Sequence, residues 1–536
     1  MWPLVLRMCV LGTVAALYTP VEGSLLLPVL LLPLAGALLL CLLPAKESKK
    51  HKVLSLLNSL MTLVLCLRLW ADFVPTATDP FQQVVSASLS WGGVLSISLA
   101  FGVDSLSLWM VLLTAALMPL AVLCSWNTQN VHSQSFYALL LALESFLFRT
   151  FCRLDTLCFY VLYECSLLPM FLLIGLGGSR ARKVRAAYLL VLYTLVGSLA
   201  MLPCVLLLLS RRGTTDYMLL MQSCGSASGT GRAGSVGGLD SSIVYLLWWG
   251  FFLAFAVKVP LMPLHLWLPE AHVERSTAGS VLLRGVLLKL GTYGLLRFNL
   301  YLFPERSAYL GPRASTICLI GIVYRSLTTL RMVDLKKVVA YSSVAHMSMV
   351  VLAAFSLNEV GIVGSIMTML AHGVRSPALF LCVGYLYDRT HTKALKYLGG
   401  RRTAMPLFSI WFFIFSLCNM RMPLTPNFVG EFLSLCGIFA QNALSLTVSL
   451  AGVILSAVYT LWAYARVVHG NPKSPYLHAM ADLNRREWWT LRVLALIAVW
   501  WGLKPAAVLD SLSVLVYYWG QCTLAVYEPA VWALIP

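Results

Sequence analysis

The sequence is poor in charge. Only 11% of its 536 residues are Asp, Glu, Lys or Arg, while 59% are hydrophobic, a balance far outside that of soluble domains. A polytopic membrane protein is the class that remains. Acidic residues are the scarcest, with 21 Asp and Glu against 39 Lys and Arg and a net charge of +18. In a soluble chain that excess would point to nucleic acid. Here the basic residues collect in short loops between apolar runs, where they set orientation in the bilayer, so no nucleic acid is expected as a partner. The fourteen cysteines include no Cys-x-x-Cys pair and no Cys/His cluster at metal spacing, which argues against an iron–sulfur cluster, a zinc site or a disulfide frame. No glycine-rich phosphate loop follows a strand pattern. Any coupled redox chemistry is expected in other chains.

With roughly 20 residues as the ruler for one membrane crossing, the apolar runs predict helices at 24–44, 53–72, 105–126, 134–152, 154–176, 186–209 and 243–262. The series continues at 276–298, 314–330, 338–356, 360–386, 406–440 (broken), 442–466 and 489–509, fourteen spans in all. Alternation of sides tests the count, because Lys and Arg should gather on one face. Lys46 to Lys52, Arg180 to Arg185, Arg331 to Lys337, Arg389 to Arg402 and Arg466 to Arg486 all fall on one side by parity. Residues 2–19 are apolar with a single Arg7, compatible with a signal-like segment, an extra span or an interfacial helix. The Gly- and Ser-rich segment from Arg211 to Ser242 reads as a flexible loop. The apolar, aromatic stretch 511–536 is expected to lie against the membrane or a neighbouring subunit.

The chemistry concentrates between Phe251 and Phe298. Lys258 lies in one apolar run and Lys289 in the next, and a lysine in hydrocarbon loses several kcal/mol of hydration unless it is paired, wet or deprotonated. Pro260 and Pro263 follow Lys258 closely, so the helix must break beside the charge. Irregular backbone at membrane depth survives only against protein or water, which makes a charge beside a break a mark of a transport site. The bland reading, a lysine snorkelling from a helix end, suits Lys258 better than Lys289, which has apolar-biased sequence on both sides. The hexapeptide Lys258-Val-Pro-Leu-Met-Pro263 recurs as Arg421-Met-Pro-Leu-Thr-Pro426, five spans later. An odd number of spans inverts the second unit relative to the first, although six Pro-rich positions are a short match.

Five ionisable residues stand near the middle of spans: Glu164, Lys258, Lys289, His346 and Glu431. An acidic residue at a helix centre costs about 2.5–3.5 kcal/mol on insertion, so such groups pair or line a water path. The sharp reading pairs Glu164 with Lys258 and runs protons through Lys289 and His346 to Glu431. The bland reading makes each a satisfied structural contact. It weighs most for His346, and it is preferred for His372, which stands beside Gly373 and Arg375. Glu144 ranks as a second carboxylate near the same network.

At these motifs the chain resembles the chain-4 subunits of the proton-pumping NADH:quinone oxidoreductase, respiratory complex I. The residues that carry the likeness are FYVLYECSLLPMFLLIG around Glu164, YTLVGSLAML at 193–202, FAVKVPLMPLHLWLPEAHVE at 255–274 and AGSVLLRGVLLKLGTYG around Lys289. DLKKVVAYSSVAHMS, AHGVRSPALF, LYDRTHTK, NFVGEF and LSAVYTLWAYARVVHG follow in order, so the likeness runs from about residue 24 to 510. It implies an all-α polytopic membrane protein of about fourteen transmembrane helices, with two inverted five-helix repeats and discontinuous helices. The implied divisions are an apolar segment 1–23, helices one to three at 24–133, a first repeat at 134–298, a second at 299–470, and a last helix with its tail at 471–536. It also implies that Glu164, Lys258, Lys289, His346 and Glu431 are the channel residues. FMN and iron–sulfur clusters would sit in other subunits, with none in this chain. The implied partners are other membrane-arm subunits, especially neighbouring antiporter-like ones, and membrane lipids, and the implied place is the mitochondrial inner membrane, with a bacterial plasma membrane as the alternative.

The chain departs from that pattern at Arg149, Arg153, Arg275, Arg284, Arg325, Arg375 and Arg421, where small residues are expected. Either these arginines pair, for instance with Glu144 or Asp155, or snorkel to an interface, or the codons read as arginine are decoded as something else. Two other functions compete with the proton-pumping reading: a subunit of a multisubunit cation/proton antiporter, and a structural membrane-arm subunit that no longer pumps. Intact charges at all five positions argue against the second.

Overall fold

The computed structural model describes residues 24–517 and 519, apart from 76–79, 92–94, 128–131, 178–181, 226–238 and 472–479. Helices stand where each apolar run predicts one. The first three are α1 (Leu26–Leu42), α2 (Ser48–Ala71) and α3 (Ser105–Cys124). The next group comprises α4 (Ser133–Phe151), α5 (Thr156–Gly177), α6 (Lys183–Arg212), α7 (Ser241–Lys258) and α8 (Thr277–Leu300). The third comprises α9 (Pro304–Leu330), α10 (Leu335–Ala354), α11 (Glu359–Thr390), α12 (Pro406–Asn419), α13 (Pro426–Gln441) and α14 (Ala443–Val468). Last comes α15 (Arg485–Leu503), bent by 63° into a helix over Ala506–Tyr517. Among the described residues, nine helices are long and apolar enough to cross a membrane, or ten with the bent pair. The others are shorter or more polar than a free-standing span requires, as with α1 and α12.

The helices begin where the sequence offers caps. Asp104 accepts from Ser107 N at 2.9 Å to open α3, Asp155 accepts from Leu157 N at 2.9 Å to open α5, and Asn358 accepts from Gly361 N at 2.7 Å to open α11. Each satisfies one of the donors that a helix start leaves over. Outer faces carry exposed Leu192, Val196, Phe432 and Ile454, while α8 and α11 are buried throughout their apolar windows. Lipid-facing helices thus stand outside α8 and α11, and these two carry Lys289, His372 and Arg375.

Both expected breaks are present. The helix α7 stops at Lys258, and a short helix over Trp267–Glu274 follows the prolines. The helix α12 stops at Asn419, and α13 starts at Pro426 after Arg421 and Leu424 adopt left-handed backbone angles. The C-terminal end of the short helix is held by lysines from elsewhere: Lys393 donates to Val273 O at 2.6 Å and Lys336 to Arg275 O at 2.9 Å. Cations at a helix C-terminus satisfy its spare carbonyls and its dipole, so two of the basic residues expected only to orient the chain also secure the segment beyond Lys258.

Three features depart from the expectation. Gln82–Trp91 and Leu95–Val103 form an antiparallel hairpin between α2 and α3. A helix over Tyr217–Gly225 stands inside the segment expected to be a loop, whose remainder at 226–238 lies outside the described residues. The helix Ala506–Tyr517 continues the bend after α15, and Trp519 packs 5.7 Å from Tyr301, centre to centre. Residues 1–23 and 520–536, each given an expected role above, lie outside the described residues.

Candidate functional site

The span α8 holds Lys289 between two π-helical turns, Leu283–Leu287 and Leu295–Leu300. Such widened turns re-aim side chains and concentrate at functional positions. Gly291 lets this span approach the end of α7, since a Cβ there would fall 3.0 Å from Phe255 O and Val259 N. The segments that carry Lys258 and Lys289 are therefore packed directly together.

Lys258 is buried, so it does not snorkel. Its amine donates to Tyr163 O at 3.2 Å and stands 3.2 Å over the Tyr163 ring. The neighbouring Glu164 is half-buried, with Ser198 beside its carboxylate. Among the described residues the Glu164 carboxylate makes no ion pair with Lys258 within 4.0 Å. The two share a site through Tyr163, so the expected close pairing is looser than a salt bridge. Glu144 is buried in α4 and accepts from Thr62 Oγ1 at 2.9 Å.

The second cluster is a row of neighbouring side chains. Lys289 Nζ meets His372 Nδ1 at 2.8 Å and also donates to Arg284 O. The His372 and His346 rings lie 6.2 Å apart, centre to centre. His346 Nδ1 stands 3.1 Å from Glu431 Oε1, and the other oxygen of Glu431 is paired with Arg421. Arg375 Nη1 and the Tyr459 hydroxyl reach His346 Nε2 at 3.3 and 3.4 Å. Lys289, His346 and Glu431 are therefore brought together, while Glu164 and Lys258 form a separate group beside them. His372, read above as structural, is the contact between Lys289 and His346. Its three-residue spacing from Arg375 on α11 puts both on one helix face.

The arginines are interior groups. Arg153 stands beside Asp155 and lies 4.5 Å over the Phe101 ring. Arg284 lies over the Phe380 ring at 4.4 Å, and its Nε reaches His272 Nε2 at 3.3 Å. Arg325 Nη2 meets His265 Nδ1 at 3.3 Å, and Arg275 Nη1 donates to Gly279 O at 3.1 Å. Arg149 is buried in α4. Burial inside the bundle, rather than a reach to the interface, is how the fold accommodates them. Ion pairs escaped the sequence reading, among them that of Arg297 and Asp104, buried and 3.3 Å apart, with Tyr293 bonded to the guanidinium.

The transmembrane family described as NADH:quinone oxidoreductase/Mrp antiporter matches residues 154–458. The chain is similar to the NADH-ubiquinone oxidoreductase chain 4 of Arabidopsis thaliana, 45% identical over 495 residues that cover 92% of this chain and 96% of that one. It is similar in structure to a chain of respiratory complex I from Thermus thermophilus, with a TM-score of 0.80, 28% identity, and 93% and 99% of the two chains covered. A chain of the Mrp complex from Dietzia shares the fold, with a TM-score of 0.78, 18% identity, and 94% and 100% of the chains covered.

Proposed function

This chain belongs to the NADH:quinone oxidoreductase/Mrp antiporter transmembrane family, and from that premise we propose that protons cross it by way of Glu164, Lys258, Lys289, His346 and Glu431. The chain is an antiporter-like, proton-translocating subunit of respiratory complex I, a multi-pass protein of the inner mitochondrial membrane and part of an NADH:ubiquinone oxidoreductase. The cation/proton antiporter reading fits less well, since the likeness to the Mrp chain at 18% identity is one of fold.

The observation that carries the proposal is the contact series Lys289–His372–His346–Glu431, buried along its whole length. Amine, imidazole and carboxylate groups exchange protons along hydrogen bonds, and the separation between the two rings is one that a single water can bridge. Lys258 and Glu164 act as the other proton site, and the break beyond Lys258 gives it access to a water path. In this reading no electron passes through the chain, and FMN and the iron–sulfur clusters belong to other subunits. The contacts of the membrane-facing helices are with neighbouring antiporter-like subunits and lipid.

Two measurements test the proposal. On a native gel the solubilised chain is expected in a very large band that stains for NADH dehydrogenase activity, and a small unstained assembly would oppose it. In reconstituted vesicles, Lys289→Ala is expected to cut proton pumping at least tenfold with the complex still assembled. Pumping at the wild-type rate would remove Lys289 from the path.

A further inference from the structure

Glu144 is a buried carboxyl that the proposed proton path leaves unused. It is 0% exposed, and among the described residues Thr62 of α2 is the one group bonded to it. No lysine, arginine or histidine nitrogen among those residues comes within 4.0 Å of it. Its second oxygen, Oε2, is buried without a partner among them. The Thr62 hydroxyl carries one hydrogen, and Ser59 O and Glu144 Oε1 both stand 2.9 Å from it. A carboxylate here would hold a shared hydrogen bond and no countercharge, and a group so placed takes up a proton instead. A carboxylic acid supplies its own hydrogen to Thr62 and leaves the threonine's for Ser59.

The side of α2 that meets Glu144 is polar along half its length. His51, Ser55, Ser59 and Thr62 recur at steps of three and four residues and are all buried, so they share one face. The opposite face is exposed and apolar, with Leu57, Met61 and Val64. Contacts at both ends of the row hold α2 and α4 side by side in one register. His51 Nδ1 meets Ser133 Oγ at 3.1 Å and Thr62 meets Glu144, each pair 82 residues apart. Ser55 and Ser59 donate to carbonyls of their own helix, which leaves their oxygens to accept. His51 Nε2, like Glu144 Oε2, is buried without a partner among the described residues. From His51 to Thr62 the row covers about 16 Å at 1.5 Å per residue, roughly half the hydrocarbon core. It starts beside exposed Lys49 and Lys50, and past Thr62 the face continues as buried Cys66 and Leu69. The row is therefore open toward one side of the membrane and ends at Glu144.

We propose that Glu144 is a proton-binding site, neutral at rest, which exchanges protons along this row with the side of the lysine-rich loop at 46–52. Neighbours on the face lie about 5–6 Å apart, separations that a single water can bridge. Hydroxyls and the waters between them then relay protons from His51 to Glu144. The site adds an uptake branch that touches neither Lys258 nor Lys289. Its use in transport rests on the proton-path reading, whereas its protonation and its route do not.

Infrared difference spectra of the purified complex, wild type minus Glu144→Gln, test this. A neutral-carboxyl stretch is expected that belongs to Glu144 and shifts when the buffer is exchanged for D2O. Ser55→Val/Ser59→Val, which fills the gaps where waters would bridge, is expected to slow that shift roughly tenfold or more. Absence of the band would show an ionised Glu144 and overturn the site. A band that exchanges equally fast in the serine variant would overturn the route. Should either variant fail to assemble, Thr62→Val decides: loss of its hydroxyl is expected to move the carboxyl stretch upward, and a spectrum identical to the wild type overturns the site. None of these readouts involves pumping, so their failure is distinct from failure of the proton path through Lys289.

Discussion

The two proline breaks share a hexapeptide pattern, Lys258–Pro263 and Arg421–Pro426, but differ in chemistry. In the first, the residue at the start of the hexapeptide is Lys258, which leans on Tyr163 and has Glu164 nearby without a direct ion pair. In the second, the corresponding residue is Arg421, paired directly with Glu431. Lysine can give up its proton inside a protein, whereas arginine in effect cannot. In the proposed path the first break thus holds a residue whose charge can change. The second holds a fixed charge, and the titratable groups proposed near it are Lys289, His372 and His346. A loosely held carboxylate accompanies the switch, and a tightly held one accompanies the anchor.

The largest expected effect breaks this comparison outright. Glu431→Gln removes the partner of Arg421 and leaves a buried cation uncompensated, at a cost of about 3–5 kcal/mol. Loss of most assembled complex on a native gel is the expected outcome, whereas Glu164→Gln is expected to assemble normally and pump poorly. Equal assembly of both variants would erase the distinction between switch and anchor.

Next in size is His372→Leu, expected to lower pumping roughly a hundredfold by cutting the contact between Lys289 and His346, at the low end of the usual worth of a positioned proton carrier. Pumping at the wild-type rate in vesicles would return His372 to a packing role. Arg421→Lys sharpens the comparison further, because it places a titratable group at the second break. The complex is expected to assemble and pump with an altered pH profile, and an unchanged profile would mean that the fixed charge at Arg421 has no bearing on proton movement.

The smallest effect lies outside the site. Arg389 reaches Glu487 at 2.6 Å and two neighbouring backbone carbonyls, tying the end of α11 to the start of α15. Arg389→Lys loses the planar, multidentate contact and is expected to cost about 1 kcal/mol, read as a small fall in thermal midpoint with pumping intact.

Much of this arrangement is legible in the sequence, because a bilayer demands long apolar runs and tolerates few charges. The runs mark where α1 to α15 lie, and the prolines after Lys258 and Arg421 mark both breaks. The hairpin at 82–103 is hidden by the same ruler: QVVSASLSW and LSISLAFGV alternate around two glycines, a strand signal that a twenty-residue helical template passes over. Five ionisable residues stand out individually because each sits in an apolar run, but which of them touch depends on helix packing. His372 shows the limit. Beside a glycine and an arginine it reads as a structural histidine, and only the approach of α8 to α11 sets it against Lys289. The arginines show it too, because their expense in isolation is relieved by rings, carbonyls and imidazoles from distant segments. Peptide mass spectrometry across Val281 to Lys289 is expected to find Arg284 as arginine, and a small residue there would remove the guanidinium from this network.

In the proposed path Lys258 carries a transported proton. The measurement that reaches it most directly is the ratio of protons pumped to electrons transferred by complex bearing Lys258→Ala, reconstituted in sealed vesicles. The structure predicts an assembled complex whose pumping is lost and whose quinone reduction is lowered. An assembled complex with the wild-type ratio would contradict the account.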